Sequence, residues 1–206
     1  MRWRRGGADR DRPVTELDLL AVDLETTGLD PSRHEVLSVG MVPVHGLSIA
    51  LGGARGYAVR PAGPGGVGES AAVHGITDDT AAGARSLSEV LPVVLAALEG
   101  RVLLAHHARI ETGFLDAACR GHGVALPDLV VVDTVRLQRR VLRRGRSHAQ
   151  VADQELGLAA ARRHLGLPRY RSHDALTDAL ACAELYLAQV AALAGDGTMT
   201  LRQLQR

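Results

Sequence analysis

The stretch that decides the fold is Leu19-Leu20-Ala21-Val22-Asp23-Leu24-Glu25-Thr26-Thr27-Gly28-Leu29-Asp30. An apolar run enters it, and two carboxylates follow at alternate positions. On a strand, alternate side chains share a face. Asp23 and Glu25 therefore stand side by side near a strand end. Like charges that close repel unless something positive lies between them. A hard divalent cation held by carboxylate oxygens is the usual answer. Thr26-Thr27-Gly28 ends the strand, and Gly28 permits a tight turn near a ligand. An arbitrary D-x-E pair is more often a turn residue followed by a solvated acid. The weight of this pair comes from further acids along the chain.

The chain has 206 residues, 46% hydrophobic and 23% charged, enough for one sizeable core. A net charge of +1 excludes a polycation. All 24 basic residues are arginine, the better bidentate phosphate ligand. Cys119 and Cys182 fall in helix-like apolar patterns and read as buried free thiols, not as a disulfide framework. No apolar run reads as the ~20 residues that span a membrane. The Arg-rich N-terminus lacks the apolar core of a secretory signal, so the expected compartment is the cytoplasm. Aromatic residues make up 2% of the chain, too few for a grip built on base stacking.

Residues 1–16, with Arg2, Arg4, Arg5, Arg10 and Arg12, read as a flexible tail. Residues 17–194 read as one domain, and 195–206 as a short polar tail. Strands are expected over 18–26 and 36–44, with 47–50 and 57–60 forming a third strand or ragged hairpin. A helix over 86–98 opens on a capping box, Ser86 with Glu89, and stops at Gly100. Arg101 to His107 is a buried strand ended by two histidines, followed by a helix over 108–121. A second apolar strand, 129–132, ends at Asp133 and leads into a helix over 134–143. Further helices are expected near 153–165 and from 172 to about 194. This alternation makes a three-layer α/β domain, with an antiparallel three-strand meander, parallel strands after it and helices on both faces. Functional groups on such sheets gather where parallel strands end.

Glu111 falls in the first turns of the helix after His106-His107. His173 and Asp178 lie five apart in Ser172-His173-Asp174-Ala175-Leu176-Thr177-Asp178. Five helical residues turn the chain about 140° out of line. They line one pocket only if His173 sits in the turn leading into the helix. Taken singly, Glu111 is an acid favouring a helix N-terminus, His173-Asp174 a cap and Asp178 a surface acid.

Together these segments resemble the DEDDh branch of the DEDD superfamily of 3′→5′ exonucleases, which has a ribonuclease H-like fold. Asp23-Leu24-Glu25-Thr26-Thr27-Gly28-Leu29 matches its first motif. Val73-His74-Gly75-Ile76-Thr77 matches its V-H-G-I-T segment. His106-His107-Ala108-Arg109-Ile110-Glu111 is similar to the second motif, H-N-A-x-F-D. Val132-Asp133-Thr134 matches the D-T after the next strand, and His173 to Ala179 fits H-x-A-x-x-D-A. Five motifs in order, spread from about Asp18 to Ala188, make a specific signal. Three positions depart from the pattern: Glu111 replaces Asp, His107 replaces Asn and Ile110 replaces an aromatic. Glu111 keeps the charge but must fold back to reach the same metal.

The resemblance implies two Mg²⁺ or Mn²⁺ ions held by Asp23, Glu25, Glu111 and Asp178. Oxygen-only ligands suit such ions. It assigns Asp23 the bridging place, Glu25 and Asp178 the site of the attacking water, and Glu111 the site facing the leaving 3′-oxygen. His173 becomes the general base, since imidazole titrates near neutrality. Thr26, Gly28 and Leu29 are carried over as contacts to the terminal nucleotide, Leu29 as a wedge between bases. His74 lies near the terminal sugar or is purely structural. Asp133 reads as a helix N-cap before a ligand, and His106 as a loop anchor. A zinc site from His106, His107 and Cys119 is disfavoured, because such acids select hard ions. Arg136, Arg139, Arg140, Arg143, Arg144 and Arg146 read as a phosphate track or as a solvated face.

The implied activity is release of nucleoside 5′-monophosphates from single-stranded DNA 3′ ends, free-standing or beside a polymerase, with no membrane partner. The same chemistry on RNA or short oligoribonucleotides is the first alternative. An inactive nucleic-acid-binding domain, supported by Glu111, is the second. An HD-type phosphohydrolase built on His173-Asp174 needs further metal-binding His and Asp residues on neighbouring helices, which the remaining histidines do not supply.

Overall fold

The computed structural model describes residues 9–63, 66–144, 151–171, 173–195 and 197–206. Its strands are β1 (Asp18–Thr26), β2 (Val36–His45), β3 (Ser48–Ile49), β4 (Arg55–Arg60), β5 (Arg85–Ser86), β6 (Val102–Ala105) and β7 (Val131–Asp133). Its helices are α1 (Ala71–His74), α2 (Asp78–Ala82), α3 (Leu87–Leu98), α4 (Arg109–Gly121), α5 (Thr134–Arg144), α6 (Leu158–His164), α7 (Ala175–Ala194) and α8 (Leu201–Leu204). The strands form one sheet in the order β5-β4-β2-β1-β6-β7, with β3 paired to β2. Pairing is antiparallel for β1–β2 and β2–β4 and parallel for β1–β6 and β6–β7, as the strand order in the sequence implies.

Strand alternation in β1 decides which layer receives which side chain. Leu19 and Ala21 pack with Ala179, Cys182, Ala183 and Tyr186 of α7. Leu20 and Val22 pack on the opposite face with Val90 and Val94 of α3 and Phe114 and Leu115 of α4. Both faces of the strand are buried, as expected for a central strand covered by helices. Asp23 and Glu25 continue the odd-numbered series and so project toward α7.

Three expectations need correction. Residues 9–16 are not a tail. Val14 is buried, its N–H donates to the Met199 carbonyl at 2.9 Å, Pro13 bridges Thr200, and Arg202 pairs with Asp11. The polar C-terminal segment likewise folds into α8, with Leu201 and Leu204 buried in the same cluster as Leu17. The two segments cover each other's backbone donors, which composition alone does not reveal. Residues 1–8 lie outside the described residues. Second, the helix near 153–165 breaks into a 3-10 turn at Asp153–Glu155 and α6, because Gly157 is extended at the α6 N-cap. Third, α7 is a 20-residue helix apolar enough by composition to cross a membrane. It carries Asp178 and buries its apolar side against β1 and β2, as the core helix of the domain.

Candidate active site

Asp23 lies opposite Gly40 in the β1–β2 register, and opposite residues share a face. A Cβ on Gly40 would stand 2.0 Å from the Ala175 carbonyl oxygen and 2.4 Å from the Leu176 nitrogen. Gly56, the next partner across the sheet, would place its Cβ 3.5 Å from Leu176. The first turn of α7 therefore sits directly on bare backbone beside Asp23. The approach delivers Asp178, one turn into the helix, to the end of β1. Gly40→Ala is expected to leave little soluble protein, or a soluble protein melting several degrees lower with at least about a tenfold lower kcat, since backbone must move to admit a methyl. Wild-type melting and turnover would show that α7 is not held there.

The turn before α7 sets the second group. Asp174 caps the helix, accepting from the Thr177 N–H at 2.8 Å. His173 adopts φ 68°, a left-handed conformation uncommon outside glycine. Its backbone N–H donates to Asp178 Oδ2 at 2.7 Å. The turn cancels the helical offset between the two residues. Ligand atoms of Glu25, His173 and Asp178 all lie within 4.8 Å of one another. The His173 ring is exposed, whereas Glu25 and Asp178 are each only 8% exposed. Asp178 is thus no surface acid.

Glu111 completes the group from the other helical layer, in the first turn of α4. It is 3% exposed, and its Oε2 has no hydrogen-bond partner among the described residues. The electrostatics register the crowding. Burial raises Asp23 well above the usual carboxylate range, with Glu111, Asp178, Glu25 and Asp174 adding to it. Burial, then Asp178 and Asp174, pushes Glu25 up to about 7. Burial pushes Glu111 up to about 8, its backbone N–H opposing and Asp133 adding. Burial raises Asp178 too, against the His173 N–H bond. Glu25, His173 and Asp178 form the close ligand group, and Asp23, which feels Glu111, Asp178 and Glu25, links it to the Glu111 oxygen that has no partner among the described residues; these hard oxygen donors fit divalent cations of the Mg²⁺ class. Glu111→Asp is expected to keep kcat within about threefold of wild type or raise it; complete inactivation would mean the pocket is shaped to the longer side chain.

The remaining expected residues divide. Thr26 turns its hydroxyl to the Gly28 carbonyl at 2.7 Å. Gly28 lies under the His34 ring: a Cβ there would fall 2.4 Å from His34 Nε2, so a side chain at this position displaces that ring. Leu29, held out by this loop, is 76% exposed at the edge of the site. His74 uses both ring nitrogens internally, with Ser70 Oγ at 3.0 Å and the Ile76 N–H at 3.1 Å. Burial and the neighbouring His173 hold it below the usual histidine range, so its place is near His173 while its bonds are structural.

Asp133 Oδ1 accepts from the Val135 N–H at 2.9 Å and the His107 N–H at 3.2 Å, tying the ends of β6 and β7 together. His106 bonds Thr134 Oγ1 at 2.8 Å and anchors that turn. Among the described residues, no ligand-like group joins His106, His107 and Cys119. Cys119 and Cys182 are buried free thiols. The arginine run is partly consumed: Arg139 pairs with Asp153, Arg140 donates to the Gln203 carbonyl and Arg144 to the Ala192 carbonyl. Arg136 and Arg143 stay exposed without such bonds among the described residues, and Arg146 lies outside them. Gly40 and His34 escaped the sequence reading of the site, and Asp174 fills the cap role read for it there. Only the cap preference of Asp174 left a local signal.

A ribonuclease H-like sheet with acids ending its central strand, a third acid opening the helix after β6 and a His-x4-Asp at the last long helix defines a DEDDh-type 3′→5′ exonuclease domain. A family model described as Exonuclease (RNase_T) matches residues 20–186, and the chain belongs to that family. The chain is 28% identical over 203 residues to the PolC-type DNA polymerase III of Thermotoga maritima, covering 95% of this chain and 14% of the polymerase. It is 33% identical over 199 residues to a DNA polymerase III subunit epsilon-like protein of Rhodobacter capsulatus, covering 95% of this chain and 27% of that protein. The chain thus spans under a third of either relative. Among solved structures, the nuclease domain of 3′hExo, a DEDDh family member bound to rAMP, superposes with a TM-score of 0.70 at 17% identity, over 95% of this chain and 98% of that one.

Proposed function

We propose that this domain removes nucleoside 5′-monophosphates from the 3′ ends of single-stranded DNA, using two Mg²⁺ or Mn²⁺ ions. The observation that carries the reading is the convergence of Glu25, His173 and Asp178 within 4.8 Å beside Asp23, with a Glu111 oxygen that has no partner among the described residues and acts on Asp23. Asp23, Glu25, Glu111 and Asp178 would hold the ions. Bound there, divalent ions neutralise charge on the phosphodiester and on the attacking and leaving oxygens of an in-line displacement.

The chain's own groups do the rest. His173, exposed on its turn, accepts a proton from the attacking water at a ring nitrogen, and its backbone bond to Asp178 fixes the turn from which it reaches. Buried Glu25 and Asp178 keep a carboxylate oxygen each within 4.8 Å of a His173 ring nitrogen. Leu29, exposed beside the site, presents an apolar surface to the terminal base, and the Thr26–Gly28 bond shapes the loop that carries it. Attack at the last phosphodiester leaves the phosphate on the departing nucleotide and a new 3′-hydroxyl on the strand. The polymerase relatives favour DNA and a place beside a polymerase; no residue here is assigned to a 2′-hydroxyl.

The test is a single-stranded oligonucleotide labelled at either end, incubated with Mg²⁺ or Mn²⁺. The 3′-labelled strand should release labelled mononucleotide at once, while the 5′-labelled strand shortens as a ladder. Initial mononucleotide release from the 5′ end, or internal cutting, contradicts the proposal. A matched RNA strand degraded faster than DNA would move the substrate assignment to RNA.

A further inference from the structure

The stretch before His173 is tied down by a cluster of charged and aromatic groups behind Asp178. Arg162 of α6 is 3% exposed. Its guanidinium donates to the Ala181 carbonyl at 2.7 Å, the Pro168 carbonyl at 3.0 Å and Glu184 Oε2 at 2.7 Å. The Tyr170 hydroxyl donates to Glu184 Oε1 at 2.8 Å, and the Arg162 guanidinium carbon lies 4.5 Å from the Tyr170 ring centre. Both oxygens of one carboxylate on α7 therefore grip the α6–α7 connection, at Tyr170 directly and at Pro168 through Arg162. A small cavity lined by Arg162, Pro168, Tyr170, Ala181 and Asp178 shows that the cluster backs onto the far side of Asp178.

We propose that Arg162, Glu184 and Tyr170 are positioning residues that hold the connection so that His173 reaches the reacting water; this rests on the reading of His173 as the base. Two observations point beyond plain stabilisation. A buried ion pair is a weak source of net stability, and Arg162 Nε has no hydrogen-bond partner among the described residues, so stabilisation alone is a poor account of the group. His173, three residues past Tyr170, holds a left-handed conformation that persists only where the surroundings fix it. On one side the Asp178 bond and the Asp174 cap hold it, and on the other the nearest anchored side chain among the described residues is Tyr170 of this cluster. A misplacement of about 1 Å at a reacting group costs on the order of 10²-fold in rate.

Arg162→Met, Tyr170→Phe and Glu184→Gln test it. Tyr170 and Glu184 pair with each other and not with an acid of the site, while the Arg162 charge also acts on Asp178. Arg162→Met is expected to lower kcat about tenfold to a hundredfold, with KM for a single-stranded oligonucleotide within about twofold. Tyr170→Phe should lower kcat about threefold to tenfold, and as a change at a 37% exposed side chain it leaves a folded protein to measure. Glu184→Gln, which keeps an acceptor for Arg162 and a donor for the Tyr170 hydroxyl, should retain most activity. Mn²⁺ binding should be unchanged in Tyr170→Phe and Glu184→Gln. In ¹⁵N-histidine-labelled protein the His173 amide, assigned by its loss in His173→Asn, should broaden or split in Arg162→Met and Tyr170→Phe. Wild-type kcat with an unmoved His173 amide in both overturns the proposal, as does a lower melting temperature with unchanged kcat. The amide signal reports on the clamp even if His173→Asn proves active, so the base reading can fail separately.

Discussion

Asp23→Asn should lower kcat on a 3′-labelled single strand by about 10³-fold or more, and the same change should make the metal-free protein more stable at pH 8. The first effect follows from the place of Asp23 amid the other acids. Metal-assisted charge stabilisation is worth several kcal/mol, and each 1.36 kcal/mol is tenfold in rate. The second follows from the crowding. Burial and the neighbouring carboxylates raise Asp23, Glu25 and Glu111, the latter two to about 7 and about 8. A carboxyl raised in the folded state contributes its full stability below the unfolded value, near pH 4. It loses that contribution as pH climbs through the folded value. The metal-free domain should therefore melt lower at pH 8 than at pH 5. For Glu25 alone, moving from 4.5 to about 7, the loss is on the order of 3 kcal/mol. Mg²⁺ or Mn²⁺ should restore more stability at pH 8 than at pH 5, by binding the ionised acids. The Asp23→Asn variant carries a neutral amide at every pH, so its pH dependence should be flatter. Equal melting of the wild type at both pH values without metal would show that the acids are not packed against one another.

How much of this was legible in the sequence differs residue by residue. The odd–even split of β1 was readable, because Leu19 to Glu25 alternate between two buried layers and a strand has period two. Glu111 was readable as the third acid once β6 and the start of α4 were placed. His173 was readable only conditionally: helical geometry separates it from Asp178, and nothing local announces φ 68° at a histidine. Gly40 was invisible as a site residue. Its importance lies in the Ala175 carbonyl, which is more than a hundred residues away and meets it only in the folded chain. The misread ends have the same origin. The Asp9–Glu16 segment and the C-terminal segment look polar and glycine- or arginine-rich, yet Val14, Met199, Leu201 and Leu204 meet in the core once β1 and α7 bring them together. Local patterns gave the elements; the contacts that complete the site are non-local.

His173→Asn should lower kcat by about 10²- to 10⁴-fold while leaving KM and the melting temperature close to wild type. The range is that of removing a general base. Asparagine is chosen over alanine because it tolerates the left-handed conformation this position adopts. Its backbone N–H can still reach Asp178 Oδ2, so the turn and the acid cluster survive the change. Alanine removes the imidazole and strains the turn together. If the ring matters only as a proton acceptor, the asparagine and alanine variants should lose kcat alike, and the alanine variant alone should lose stability. The split between kcat and KM separates the roles further. A conserved KM beside a large loss of kcat marks a group that acts in the chemical step and not in binding. A variant that keeps wild-type kcat, or whose KM rises in step with the loss of kcat, would assign His173 to binding or packing. The proton would then have to leave the attacking water by another route, with Glu25 and Asp178 the acids that lie beside the ring.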